Sequence, residues 1–212
     1  MTRTLFLLTF IFILRQANCQ DSLSDNRICV KIAPLSILDI YSGTSARIGL
    51  EYKLKKNFAL YNEIGTYFPF ANGMHMNYGA LVKIELKMYL NNFWLSSGPY
   101  LSAELFYKHQ SYYTYDSIYS NTKYNKDYYV KKDIACLTIK YGFLKVLKYN
   151  IVIDGFVGLG VRQRFITNTL TSDENEHIKG EGDYNINVAK NQAGNFTYLN
   201  FDAGVKIGYR FK

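Results

Sequence analysis

Phe201-Asp202-Ala203-Gly204-Val205-Lys206-Ile207-Gly208-Tyr209-Arg210-Phe211-Lys212 separates cleanly by parity. The odd positions are Phe, Ala, Val, Ile, Tyr and Phe; the even ones are Asp, Gly, Lys, Gly, Arg and Lys. Successive side chains of a strand point to opposite faces, so this stretch is a strand with one apolar face and one charged, glycine-rich face. The apolar face ends in aromatics, and a strand at a chain end has one neighbour unless a barrel closes on it. The pattern predicts a transmembrane barrel strand, apolar against lipid and polar towards the lumen.

Upstream, seven more segments alternate in the same way: 28–37, 45–54, 58–68, 76–90, 93–113, 128–147 and 151–167. In the second, Ala46, Ile48, Leu50, Tyr52 and Leu54 oppose Arg47, Gly49, Glu51 and Lys53. In the fourth, Tyr78 to Met88 oppose Asn77, Gly79, Lys83, Glu85 and Lys87. Asn62 interrupts the apolar face of the third and suggests a bulge. No helical period of comparable length competes. The expected fold is all-β, an eight-stranded antiparallel transmembrane up-and-down barrel.

The connections alternate in length. Lys55-Lys56-Asn57, Asn91-Asn92 and Lys148-Tyr149-Asn150 are turn-prone, whereas 39–44, 69–73, 117–127 and 171–196 are mostly longer and polar. Short turns on one side and long loops on the other match an outer-membrane barrel, with the short side periplasmic. The polar faces gather Glu51, Glu63, Glu85, Glu104, Asp154 and Asp202. They also gather Lys31, Arg47, Lys83, Lys87, Lys140, Arg162, Lys206 and Arg210. A soluble ligand-carrying barrel would invert this arrangement. So many enclosed charges are tolerable only if they pair, and side chains fill an eight-stranded interior, so a salt-bridged plug is expected rather than a pore.

The N-terminus fits export. Residues 1–19 carry Arg3, an apolar run from Leu5 to Leu14, and Ala17-Asn18-Cys19: the charged, apolar and small-residue parts of a signal peptide. Cleavage after Cys19 leaves residues 20–212 as the barrel domain. Lipidation of Cys19 is the rival reading, which Gln16 and Asn18 fit poorly. Loss of Arg3 and Arg15 lowers the formal charge from +8 to +6. The bases form no cluster or nucleic-acid motif, and nucleic acid is not an expected partner. Aromatics reach 17%, with 20 Tyr, as interfacial girdles require. Cys29 and Cys136 fall on strands that are not neighbours and are expected to be free, inward-facing thiols.

The chain resembles the small eight-stranded outer-membrane barrel proteins of Bacteroidetes. The resemblance rests on Ala17-x-Cys19 before Gln20, Val30-Lys31-Ile32-Ala33-Pro34-Leu35, Ala46-Arg47-Ile48-Gly49-Leu50-Glu51-Tyr52, the glycine-rich 152–160 and the terminal Gly208-Tyr209-Arg210-Phe211. Asp202 to Tyr209 also resembles the signal read by the barrel-assembly machinery, although Lys212 rather than an aromatic ends the chain. The resemblance implies fold and location and carries no site. Asp116-Ser117-Ile118 and Asp21-Ser22-Leu23 resemble a short O-glycan acceptor motif of the same bacteria.

No catalytic, cofactor-binding or metal site is expected, and the chain does not read as an enzyme. His75, His109 and His177 fall near or in the outward loops. Ser111 follows His109, and Asp173, Glu174 and Glu176 flank His177, but no spacing unites nucleophile, base and acid. The Tyr-rich stretch 112–129 reads as a projecting hairpin with its aromatic girdle. The expected partners are outer-membrane lipid and lipopolysaccharide, and other envelope proteins through loops 117–127 and 171–196. The expected role is structural or interactive, including that of an accessory subunit. The alternative is a lipid-modifying enzyme at the extracellular rim.

Overall fold

The structure, a computed structural model, describes residues 28–38, 45–55, 57–68, 75–90, 97–119, 123–178 and 191–211. Its strands are β1 (Ile28–Ile32), β2 (Ser45–Lys53), β3 (Phe58–Tyr67), β4 (His75–Tyr89), β5 (Gly98–Tyr119), β6 (Lys123–Val146), β7 (Ile151–Asn168) and β8 (Gly194–Arg210). Each pairs antiparallel with the next, and β1 pairs with β8, closing an up-and-down barrel. A five-residue helix, α1 (Ser172–Glu176), follows β7. The opening stretch forms β8 with the faces expected of it: Phe201 and Leu199 are exposed outside, Lys206 buried inside.

Closure is local. β1 meets only residues 207–210 of β8. β1 ends at Ile32 instead of running to Ile37, because Pro34 has no N–H for a ladder. The chain turns there as a 3-10 segment, Pro34–Leu38, where Ser36 Oγ lies within hydrogen-bond distance of the Ala33 and Ser45 carbonyls, at 2.6 and 2.8 Å, its one proton serving either.

Asn62 makes no bulge. It keeps register with Leu50 and Ile84, and its side chain is hydrogen-bonded to that of Tyr52 on the same outward face. The irregularity lies instead between His75 and Tyr78, where Met76 adopts φ 51°. β5 is described from Gly98, and its expected start at Phe93 lies outside the described residues. The loop expected over 117–127 is mostly ladder, since β5 and β6 stay paired to Tyr119↔Lys123 and form a hairpin taller than the rest of the wall. Lys148-Tyr149-Asn150 is a tight turn, with Tyr149 and Asn150 at φ near 60°. The expected signal peptide at 1–19, the expected turn at 91–92, the segments 39–44 and 69–73 and most of 171–196 beyond Ile178 lie outside the described residues.

Two glycines explain why the charged face is also glycine-rich. A Cβ on Gly49 would collide with the Tyr61 ring, and one on Gly142 with the Tyr100 ring. Both tyrosines lie across the barrel wall at these positions, fully buried.

Candidate functional site

The interior near the two chain ends is a closed ionic plug. Lys31 Nζ lies 2.6 Å from both Glu51 Oε2 and Asp154 Oδ2. Lys87 Nζ lies 2.6 Å from Asp154 and 3.1 Å from Glu51. Lys206 pairs with Glu85 at 2.9 Å. Tyr100 donates to Asp154 at 2.6 Å, Tyr61 to Glu63 at 2.7 Å, and Tyr89 to Glu51. Every one of these ionic groups is essentially inaccessible to water. The next layer joins Lys140 to Glu104 and Asp202 at 2.6 and 2.7 Å, with Lys83 within 3.9 Å of Glu63 and 3.7 Å of Glu104. Tyr61 presents its ring face to Lys31, Lys87 and Lys206. Three ammoniums meet three carboxylates in the lower layer, so no charge stands uncompensated, the condition for burying it.

Above the plug the filling is incomplete. A cavity of about 500 Å³ there is lined by Arg47, Glu63, Lys83, Glu104, Lys108 and Arg162. Lys108, Lys132 and Arg164 are also buried in this upper half. Cys29 and Cys136 are both free and buried, as their strand positions required.

The long-loop end is built on one carboxylate. Glu174 in α1 accepts Lys126 Nζ at 2.7 Å, Tyr124 Oη at 2.9 Å and the Thr171 backbone N–H at 2.9 Å, and Thr171 caps the helix in return. The Lys126 ammonium foremost, with the Thr171 N–H and the Tyr124 hydroxyl, holds the Glu174 carboxyl down at about 2. Tyr112 donates to Asn191 at 2.7 Å, Tyr128 donates to Asp116, and Ile118 bridges to Ile178. Much of the tyrosine cluster therefore docks the β7–β8 connection onto the hairpin. Tyr113 and Tyr115 point outward and stay about half exposed. Ser117 lies within β5, its hydroxyl bonded to Asn125 at 2.6 Å.

The three histidines separate. His177 sits just after α1, its Nδ1 2.8 Å from the Asp173 carbonyl. His75 opens β4. His109 is part of the wall rather than a loop, facing outward from β5, and its Nδ1 lies 2.8 Å from Asp133 Oδ1 of β6. Tyr107 donates to that same oxygen at 2.7 Å. Asp133 was absent from the sequence candidates because 24 residues separate it from His109 along the chain. The hairpin register, His109↔Asp133, is what joins them.

No family model, curated protein or solved structure matches the chain.

Proposed function

We propose that this is an outer-membrane barrel whose closed interior serves stability and whose work is done from its outer wall and its long-loop end, in a structural or interaction role. One observation carries this: the barrel is inside-out. Ionic groups line its interior and plug one end, while Leu50, Ile64, Ile84, Leu105, Leu137, Ile139, Leu159, Val161, Leu199 and Phe201 are all exposed on the wall. An apolar surface of this extent on a soluble monomer would exceed the few hundred Å² such proteins tolerate, and a bilayer is the solvent that matches it. Tyr78, Tyr107 and Tyr113 towards one end and Tyr141, Phe143 and Tyr209 towards the other supply the two girdles.

On this reading the tight turns face the periplasm, the β5–β6 hairpin and the β7–β8 connection face outward, and lipid and lipopolysaccharide surround the wall. Envelope proteins would be met through the hairpin tip. The plug implies no stepwise conductance in planar bilayers. The test is flotation of the refolded chain with liposomes, together with surface accessibility of tags on whole cells. A tag between residues 182 and 183 is expected to bind antibody without permeabilisation; one after Asn91 is not. Failure to float, or the reverse accessibility, overturns the reading. Chemical crosslinking from Tyr115-side cysteines on cells, analysed by mass spectrometry, tests the interaction role. A second reading, a lipid-modifying enzyme, is favoured by the Asp133–His109 contact.

A further inference from the structure

His109 and Ser111 share the outward face of β5. Ser111 is flanked across the sheet by Tyr78 of β4 and Lys131 of β6, and His109 by Ala80 and Asp133. A two-residue step along a strand is about 7 Å, a span that an imidazole and a hydroxymethyl group on the same face can close between them. Asp133 holds Nδ1 of His109 at 2.8 Å. A carboxylate at that nitrogen fixes the proton there and leaves Nε2 as the base. Tyr107 Oη on the same oxygen anchors Asp133 in turn.

Position supports use. His109 and Asp133 stand between Tyr107 and Tyr113 of the girdle, at the interfacial height where lipid esters meet water and where an outward charge costs little. The ladder rows immediately below it, Val82–Tyr107–Ala135 and Ile84–Leu105–Leu137–Val161, are the upper edge of the apolar wall. An acyl chain lying against Leu105 and Leu137 would bring its ester to the height of His109 and Ser111.

We propose that Ser111, His109 and Asp133 form an acyl-ester hydrolase site on the outer wall, acting on the fatty-acyl esters of membrane lipid. This rests on the membrane reading above and adds an activity to it. Ser111 Oγ attacks the ester carbonyl carbon as its proton passes to His109 Nε2. Lys131, cross-strand to Ser111, holds its ammonium over the Tyr129 ring at 5.9 Å, and a change of rotamer would carry it to the oxyanion. The tetrahedral intermediate collapses with cleavage of the acyl C–O bond, and the leaving alkoxide takes the proton from Nε2. Water then attacks the acyl-serine, giving its proton to Nε2, and the Ser111 Oγ–acyl bond breaks with return of that proton to Oγ. The products are a free fatty acid and the deacylated lipid, and water is the only co-reactant. Asp133 is a positioning residue throughout.

The experiment uses full-length protein refolded in detergent, with mixed micelles of phosphatidylethanolamine in one arm and of lipid A in the other. Fatty-acid release is read by mass spectrometry, and an alkyl fluorophosphonate probe is mapped by peptide sequencing. Release in either arm is expected, and the arm identifies the lipid class. The probe is expected on Ser111. Ser111→Ala and His109→Ala should lower kcat/KM at least about 1,000-fold, and Asp133→Asn should lower kcat about 100- to 10,000-fold with KM nearly unchanged. His177→Ala should leave release unaltered. Because a variant can fail to fold, the probe result on wild-type protein stands by itself. A folded wild type that floats with liposomes yet releases no fatty acid and carries no adduct at Ser111 overturns the hydrolase site and leaves the membrane reading intact. Unaltered release by Ser111→Ala overturns it as well. Failure to float removes both.

Discussion

Asp154→Ala removes the acceptor on which the plug converges. The carboxylate takes Lys31 Nζ, Lys87 Nζ and Tyr100 Oη, each at 2.6 Å. Afterwards Lys31 keeps Glu51 at 2.6 Å, while Lys87 keeps Glu51 at 3.1 Å and Glu85 at 4.0 Å. Two buried ammoniums then share one close carboxylate, and Tyr100 loses its partner. Hydrogen bonds to charged groups contribute about 1.5–3 kcal/mol each, which sets a ceiling near 9 kcal/mol for three. The neighbours relax and Glu51 is shared, so the expected loss is about 3–5 kcal/mol, that of a broken buried ion pair. The assay is urea unfolding in zwitterionic micelles, followed by far-UV circular dichroism. Adding Lys87→Met to Asp154→Ala should recover at least about 1 kcal/mol, because it removes one of the two cations left sharing Glu51. An Asp154→Ala protein within about 0.5 kcal/mol of wild type would refute the idea that the plug is held by charge pairing.

Gly142→Val should destabilise the barrel by about 1–3 kcal/mol in the same assay, since the new side chain displaces the Tyr100 ring; a matching change at outward Gly155, which has nothing within 4 Å, should cost little. The Glu174 carboxyl titrates in the folded protein near 2, below its ordinary 4.5. Its contribution is therefore complete above about 4.5 and is lost as pH falls towards 2. Hydrogen exchange of the Tyr119 amide, which donates to His177 across the docked loop, should be flat from pH 7 to 5 after correction for intrinsic rate, then accelerate; Glu174→Gln should exchange fast throughout. Alkylation without reductant should leave Cys29 and Cys136 unmodified in folded protein and add two labels on denaturation; labelling of either in the native state would contradict their burial. A third label would show that Cys19 is retained.

Much of this was legible in the chain because a strand's period is two. Asp202, Lys206 and Arg210 fall on one side whatever the neighbours are, and the same holds for Lys83, Glu85 and Lys87. Parity alone therefore named the five buried carboxylates, half-buried Asp202 and the cations that meet them. Parity does not say how two strands slide past each other. With the β5–β6 loop taken as 117–127, its centre at residue 122 places Ala135 opposite His109; the observed hairpin centres on residue 121 and places Asp133 there. That shift separates a lone surface histidine from one held by a carboxylate. Likewise the tyrosines of 112–129 looked alike in the sequence. Only packing of α1 and Asn191 against the hairpin set Tyr112, Tyr124 and Tyr128 apart from Tyr113 and Tyr115.

The sequence by itself determined the strand number, the inward and outward faces and the separation of charge from apolar surface, because each is a property of a residue's own position in its strand. Tertiary structure decided which lysine meets which carboxylate, where the interior stays open, and that Asp133 reaches His109. Those depend on register and on ring closure between β1 and β8, and register is set by the turns and by packing across the barrel.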